Sequence, residues 1–298
     1  MSLRFGYGLN GFTDHRLEDA VALLADLGYD GVALTLDHAH LDPFARDVAT
    51  RVRRVRALLD RHALDVVVET GARFLLDPRA KHEPTLVSDS GRERRIDLLH
   101  RAVRIASELG APVVSCWSGV APVGVPTTEL VRRVDDGIAC VLPLAQEHGV
   151  DLAVEPEPGM VVERVADVLD LRRRLGEPDR LRLTIDVGHL RCVEDDDPAE
   201  VVLAAGPHLA NVQIDDMRRG VHEHLPFGEG EVDVPPVLAA FRAVGYRGLV
   251  SVELPRHPWA APTLAAQSLR FLRRAERGAG ALPVPHPTTR PALQEVPS

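Results

Sequence analysis

The sequence predicts a single (β/α)8 barrel of the TIM-barrel class over residues 1–277. Short runs of β-branched residues alternate with longer segments of helical periodicity, and about eight such units fit into this length. Strands that alternate with helices are parallel, and continuously apolar strands are buried on both faces. An open parallel sheet is the competing architecture. No G-x-G-x-x-G follows any predicted strand, which disfavours a dinucleotide-binding sheet.

Hydrophobic periodicity and Gly/Pro punctuation place each element in order. The strands are predicted at 4–8, 31–36, 64–68, 112–116, 151–154, 181–185, 209–214 and 248–252. Helices are predicted at 16–27, 92–110, 128–149, 162–175, 198–205, 235–244 and 263–277. A further long, arginine-rich helix is predicted after the second strand, ending at about residue 62. Gly28 ends the first helix, and Thr128 is expected to cap the fourth. Residues 278–298 are rich in proline without periodicity, which predicts a disordered or surface-bound tail.

Composition excludes several classes of protein. The net charge of −9 repels polyanions, so no nucleic-acid partner is expected. No apolar run approaches the roughly 18 residues that span a bilayer, so no membrane partner is expected. Three widely spaced cysteines predict neither a disulfide framework nor a thiolate zinc site, which favours a reducing, cytoplasmic location. A homo-oligomer is compatible with these features.

Polar side chains follow most of the later predicted strands. The residues at these strand ends are Glu69, Trp117, Glu155, Asp186, Gln213 and Glu253. The carboxyl ends of barrel strands form the active face, so the side chains from strands five to eight should converge there. Three carboxylates in one pocket repel one another unless a cation neutralises them. Oxygen donors favour Mn²⁺ or Mg²⁺ over zinc, so one such ion is predicted at Glu155, Asp186, Gln213 and Glu253.

These motifs resemble the xylose isomerase-like barrel superfamily, in its sugar phosphate isomerase/epimerase branch. Glu155, the D-x-G-H run 186–189, Gln213 and Glu253 match its strand-end ligands, and 228–233 matches its G-x-G-x-x-D. The resemblance implies one divalent ion on the four ligands and proton transfer by the two glutamates. It also implies that the substrate is held by His189 and by an arginine after strand seven, Arg219 or its neighbour Arg218.

Gln213 departs from most of this superfamily, which has histidine on strand seven. The hydroxypyruvate isomerase branch also has glutamine there, so the resemblance still implies metal binding. An amide oxygen is a weaker, neutral donor. His222 and His224 are the nearby residues that could supplement it, with an ordinary place in a surface loop as the alternative.

The predicted substrate is a small carbohydrate or polyol ketone whose adjacent carbonyl and hydroxyl oxygens chelate the ion. The ion would polarise the carbonyl and acidify the neighbouring C–H, giving a metal-stabilised cis-enediolate after proton removal. Glu155 and Glu253 suit a scheme with two bases. Return of the proton to the neighbouring carbon isomerises the sugar, and return to the same carbon from the opposite face epimerises it. The sequence leaves both outcomes open.

The segment after strand three, residues 71–86, is long for a βα connection and is predicted to cover the substrate. It carries Lys81, the only lysine of a chain with 35 Lys and Arg residues, together with Arg73 and His82. We expect these three to contact an anionic or polyhydroxy group. Glu69 and Trp117 are expected to line the pocket, Trp117 against a sugar face.

Three alternative functions remain at this stage. An endonuclease IV-like repair enzyme would need a zinc cluster and a basic face, which the acidic balance disfavours. A non-catalytic barrel could have lost metal binding through Gln213. A related lyase, such as an inosose dehydratase or a subunit that cleaves C-glycosides, would use the same ion and eliminate a leaving group.

Overall fold

The computed structural model describes residues 2–278 and contains a closed barrel of eight parallel strands. The barrel strands are β1 (Arg4–Gly8), β2 (Gly31–Thr35), β3 (Asp65–Glu69), β4 (Val113–Cys116), β5 (Asp151–Val154), β6 (Leu181–Asp186), β7 (Leu209–Ile214) and β10 (Leu249–Val252). The predicted (β/α)8 barrel is confirmed, in the order β1-β10-β7-β6-β5-β4-β3-β2.

Helices fill the connections between the strands. They are α1 (Leu17–Leu27), α2 (Val48–His62), α3 (Arg92–Leu109), α4 (Thr127–His148), α5 (Val165–Arg174), α6 (Val187–Val193), α7 (Pro198–Ala205), α8 (Val234–Ala243) and α9 (Ala261–Gly278). No helix within residues 2–278 is long and apolar enough to cross a membrane. The tail predicted at 278–298 lies, after Gly278, outside the described residues.

Glycine ends helices where the sequence predicted it. Gly28 adopts φ +93°, and its N–H bonds back to the last turn of α1. Thr128, in contrast, does not cap α4. The helix begins one residue earlier, after Pro126, and no side chain caps it. Pro126 is extended, and its carbonyl accepts from the N–H of Glu129, so the backbone itself makes the first turn.

Two elements were missed by the sequence analysis. The D-x-G-H run forms the start of α6, and the segment after β7 folds into an antiparallel hairpin of β8 (Asp216–Arg218) and β9 (Val221–Leu225). Both elements are too short to show a clear period. The hairpin places two histidines of β9 over the barrel mouth.

The G-x-G-x-x-D run is bound to the first strand of this hairpin. The Asp216 carboxylate accepts backbone N–H bonds from Gly228 at 2.8 Å and from Val232 at 2.9 Å. A Cβ atom at Gly230 would lie 2.3 Å from Asp216 Oδ1, so only glycine allows the loop to wrap this closely.

Side chains inside the barrel change from apolar to polar toward the carboxyl ends. Small and apolar residues form the lower cluster, among them Val67, Ala153 and Leu249. Because strand side chains alternate, Glu69 and Glu155, each two residues further on, face the same interior. The remaining strand residues face the helices and form the main core. Alternation thus directs the strand-end carboxylates into the barrel mouth.

We expect Val32→Ala to destabilise the protein by about 2 kcal/mol, because Val32 is 1% exposed in the core between β2 and the helices. Val123→Ala is the matched control, since Val123 is fully exposed and should change stability by less than about 0.5 kcal/mol. Urea unfolding measures both. Equal stability of the two variants would contradict the burial pattern.

Candidate active site and metal centre

A cavity of about 400 Å³ opens at the carboxyl ends of the barrel strands. Most predicted site residues line it, namely Glu69, Arg73, Lys81, His82, Trp117, Glu155, His189, Gln213 and Glu253. Asp186 lies buried beside them, with carboxylate oxygens within 4.8 Å of those of Glu155 and Glu253. Arg219 does not line the cavity.

Three of the four donors of the predicted metal site line this cavity, and the fourth, Asp186, lies beside them. Gln213 Nε2 donates to Glu69 Oε1 at 3.2 Å and to Glu253 Oε2. Asn10 donates to the other Glu253 oxygen at 2.8 Å, which fixes that carboxylate from both sides. Asp186 Oδ1 accepts the backbone N–H of His189 at 3.1 Å as it begins α6.

Burial makes these carboxylates hard to ionise. Desolvation, followed by the charges of neighbouring carboxylates, holds the pKa of Glu155 and of Glu253 well above the usual range. Desolvation also raises the pKa of Glu69 to about 7, although a hydrogen bond from Thr35 opposes the shift. Accumulated negative charge in a buried pocket is unfavourable, so a proton or a cation must offset it.

Unpartnered polar atoms indicate whether the site is suited to a proton or to a cation. Asp186 Oδ2 and Gln213 Oε1 are buried and make no hydrogen bond. Such atoms are costly to bury unless something binds them. Both are oxygen atoms of the kind that hard divalent ions bind, and they accompany two carboxylates on neighbouring strands. The residues therefore fit a divalent cation.

Histidines form a second group beside the carboxylates. His189 lies in α6, and His222 and His224 lie in β9. One ring nitrogen of each histidine lies within 4.8 Å of those of the other two. Desolvation lowers the pKa of His189 to about 4 and that of His222 to about 3, so both imidazoles are neutral near pH 7. His222 also lies 3.9 Å from Glu157.

The segment predicted to cover the substrate reaches the cavity. Lys81 lines it and, within residues 2–278, forms no ion pair. Arg73 donates to the carbonyl of Asn10 at 2.7 Å, and His82 bonds the carbonyl of Gly71 at 2.8 Å. His82 also packs edge-on against Trp117, with ring centroids 5.4 Å apart.

The arginine implied by the resemblance lies elsewhere. Arg219 is exposed, and its backbone N–H donates to Glu231 at 3.2 Å. Arg218 is also exposed and pairs with Glu223. Both point away because the hairpin turns the chain outward at these positions. Arg256, which follows β10, lines the cavity instead and donates to the carbonyl of His222 at 2.8 Å.

The cavity residues that sequence reasoning missed include Asn10, Glu157 and Arg256. The sequence could have indicated Glu157, because it follows Glu155 by two residues and such a spacing directs both side chains to the same side. Desolvation raises its pKa to about 7, whereas His224 and Lys81 lower it. Asn10 had no signal, because its short helical turn after β1 has no recognisable pattern.

Comparison with known proteins agrees with this geometry. A family model described as a xylose isomerase-like TIM barrel matches residues 21–275. The chain belongs to this family. The predicted resemblance is thereby confirmed at the level of the family.

Similar members of the xylose isomerase-like family include sugar epimerases. L-ribulose-5-phosphate 3-epimerase UlaE of Shigella flexneri is 24% identical over 239 residues, which are 79% of this chain and 81% of that protein. The structure of D-allulose 3-epimerase from Methylomonas sp. has a TM-score of 0.72 and 19% identity, covering 92% of this chain and 98% of that one.

One structure with a similar fold holds a metal. The IOLI protein with a bound zinc atom has a TM-score of 0.74 and 16% identity, covering 94% of this chain and 100% of that one. Identities this low show a shared fold. The metal itself is argued for this chain from its own buried, unpartnered oxygens.

We expect Mn²⁺ to raise the thermal midpoint by about 5 °C or more at pH 8 when supplied at about 100 times Kd. The shift should be much smaller at pH 5.5, because the ligands must lose protons to bind. The sign follows from the raised pKa values. Protonated carboxylates stabilise the metal-free fold at low pH, and this contribution is lost as pH rises through about 7, the pKa of Glu69.

Thermal denaturation at both pH values, with and without Mn²⁺, measures this dependence. Asp186→Asn should reduce the shift at pH 8, because it removes one buried carboxylate of the site. An equal or larger shift at pH 5.5 would contradict binding by these groups.

Proposed function

We propose that this protein is a divalent-metal-dependent sugar isomerase or epimerase, and that Mn²⁺ or Mg²⁺ is its ion. The observation that carries the proposal is the meeting of Glu155, Asp186, Gln213 and Glu253 in a cavity, with Asp186 Oδ2 and Gln213 Oε1 left unpartnered. Sugar epimerases among the relatives support the same reaction class. Three free cysteines support a reducing, cytoplasmic setting.

Two glutamates would handle the protons. When bound, the ion would polarise the substrate carbonyl and lower the pKa of the adjacent C–H. Hydrogen bonds from Asn10 and Gln213 fix the orientation of the Glu253 carboxylate, which would accept the proton from carbon. Glu155 follows β5, on another part of the barrel wall. Ser115 Oγ lies 3.5 Å from Glu155 Oε2. Two bases on different strands suit delivery of the proton to the opposite face.

Polar and aromatic groups around the ligands would hold the sugar. Glu157 and Glu69 offer oxygens to sugar hydroxyls, and Trp117 offers an apolar face. His189 and Arg256 offer donors on the hairpin side. The cavity volume of about 400 Å³ suits a small carbohydrate.

The reaction is tested by proton NMR in D₂O with a panel of ketoses and inososes. An isomerase or epimerase should exchange one C–H next to the carbonyl for deuterium and form an isomeric sugar. Formation of an unsaturated or dehydrated product would identify a lyase instead. Absence of exchange across the panel, with metal bound, would favour a non-catalytic barrel.

We expect Glu253→Gln to lower kcat by about 10² or more while KM changes by only a few-fold. The substitution keeps the size of the side chain and an oxygen ligand but removes the base. Glu108→Gln is the matched control, because Glu108 is exposed on α3. Steady-state kinetics on the identified substrate measures both, and a near-normal kcat for Glu253→Gln would exclude this residue as an essential base.

We expect Lys81→Ala to raise KM about tenfold, on the scale of one lost charged hydrogen bond. Lys81→Arg should also lower kcat/KM, because a guanidinium is larger and differently hydrated than an ammonium. Arg79→Ala provides the control, since Arg79 is exposed in the same segment and does not line the cavity. If both Lys81 variants match the wild type, this segment does not bind substrate through its lysine.

A further inference from the structure

Small polar side chains form a layer inside the barrel, one strand pleat below the strand-end oxygen donors. This polar layer consists of Ser115 of β4, Thr184 of β6, Asn211 of β7 and Ser251 of β10. Side chains alternate along a strand, so the last three face the barrel interior like Asp186, Gln213 and Glu253, which follow them by two residues. All four residues of the layer are at most 2% exposed.

Two members of the polar layer bind each other, and the other two lack protein partners. Ser115 Oγ lies 2.9 Å from Thr184 Oγ1, at hydrogen-bond distance. Asn211 Nδ2, Asn211 Oδ1 and Ser251 Oγ make no hydrogen bond with the part of the chain that the structure describes. Buried amides and hydroxyls in native proteins are nearly always hydrogen-bonded, because an unpartnered one is costly to bury. The polar layer can therefore bind a further polar molecule.

The surroundings of the polar layer limit how that molecule is held. The side chains below it are apolar and offer no hydrogen bond, namely Ala33, Val67, Val113, Ala153 and Leu249. On the upper side, Ser115 lines the cavity, so the layer adjoins the cavity. Bulky branched residues usually fill a barrel interior, whereas this one has Gly6 beside Ser251. A Cβ atom at Gly6 would lie 2.7 Å from Ser251 Oγ, so glycine makes room for the hydroxyl.

The unpartnered atoms of Asn211 determine the chemistry of the bound molecule. A side-chain amide presents both N–H donors and a carbonyl acceptor. A cation could bind the carbonyl oxygen but could not accept from the N–H groups, and an anion could accept but could not donate. Water does both, and a buried water makes about three hydrogen bonds. Asn211 and Ser251 together offer that number of unpartnered atoms.

We propose that Asn211 and Ser251 bind ordered water inside the barrel, and that this water forms an outer shell beneath Asp186, Gln213 and Glu253. Water held one pleat below these side chains can donate to their oxygen atoms. It would thereby reduce repulsion among the carboxylates and hold the ligands in the orientation that an ion requires. Asn211 and Ser251 are positioning residues in this arrangement, because they act on the ion through other groups.

The paired half of the polar layer already approaches the carboxylates. Ser115 Oγ, which is bonded to Thr184, lies 3.5 Å from Glu155 Oε2. Water on Asn211 and Ser251 would extend the same kind of contact to the strands on the other side of Thr184, since Thr184 pairs with Asn211 in the barrel register. The inference rests on the proposed function for its ion, whereas the water itself is tested without metal.

A high-resolution crystal structure of the metal-free full chain tests the water directly. At least one ordered water should lie about 2.7–3.2 Å from the Asn211 amide and from a side-chain oxygen of a ligand above it. Relaxation dispersion of water oxygen-17 counts long-lived internal water in solution, and Asn211→Val should lower that count. A structure in which the Asn211 amide binds protein atoms alone would overturn the proposal.

Two substitutions of Asn211 test the effect of the water on the ion. Asn211→Val and Asn211→Thr introduce side chains of the same shape that differ by one hydroxyl. Asn211→Val should weaken Mn²⁺ binding by about 10–100-fold, the usual effect of losing an outer-shell partner. Asn211→Thr should keep more of the affinity, because its hydroxyl can still bind water. Isothermal titration calorimetry measures both.

Ser251→Ala removes a hydroxyl from the polar layer without adding volume and should weaken Mn²⁺ binding by about tenfold. Ser268→Ala is the matched control, because Ser268 is also buried but lies on α9, outside the barrel, and it should keep the wild-type affinity. Thermal denaturation without metal shows that each variant folds.

The outcomes separate this inference from the proposed function. Equal Mn²⁺ affinity of the wild type, Asn211→Val and Ser251→Ala would overturn the inference while leaving the proposed function intact. If the wild type binds no Mn²⁺, the proposed function fails, and the water bound to Asn211 in the metal-free crystal structure then decides the inference.

Discussion

Repulsion among buried carboxylates is the constraint on which the rest of this active face depends. Glu69, Glu155, Asp186 and Glu253 share one pocket, and none of them forms an ion pair with lysine or arginine within residues 2–278. Charges of one sign in a low-dielectric pocket oppose folding unless they are offset. Gln213 supplies part of the offset, because its amide donates to two of these glutamates while its oxygen stays free.

The amide also changes what the site can do. A histidine at this position would supply a nitrogen ligand, whereas Gln213 supplies a neutral oxygen and two donors. The strand-end donors are therefore all oxygen atoms, which favour hard cations. The nitrogen donors lie apart from them, on α6 and β9. The oxygen donors and the nitrogen donors thus form two adjacent groups at one cavity.

Strand alternation explains why the sequence predicted so much of the site. Parallel strands end at one face, so Glu155, Asp186 and Glu253 could be placed together from the order of elements alone. The hairpin after β7 could not be predicted, because its two strands have three and five residues and their buried positions show no strict alternation. The position of Arg219 depends on this hairpin: it was expected at the substrate, and the hairpin places it exposed on the surface.

Arg95 helps to hold the long segment 71–86 over the cavity, beside the small apolar cluster that Ala72 and Leu76 form with Leu98. Its buried guanidinium donates to the carbonyls of Thr70, His82 and Pro84 at 3.0 Å or less, and it lies 4.5 Å from the Trp117 ring centroid. Desolvation lowers the pKa of Arg95 to about 10, a cost that these carbonyl dipoles and the aromatic face offset. One side chain of α3 thereby joins both ends of the segment to the cavity wall, and Lys81 of this segment lines the cavity.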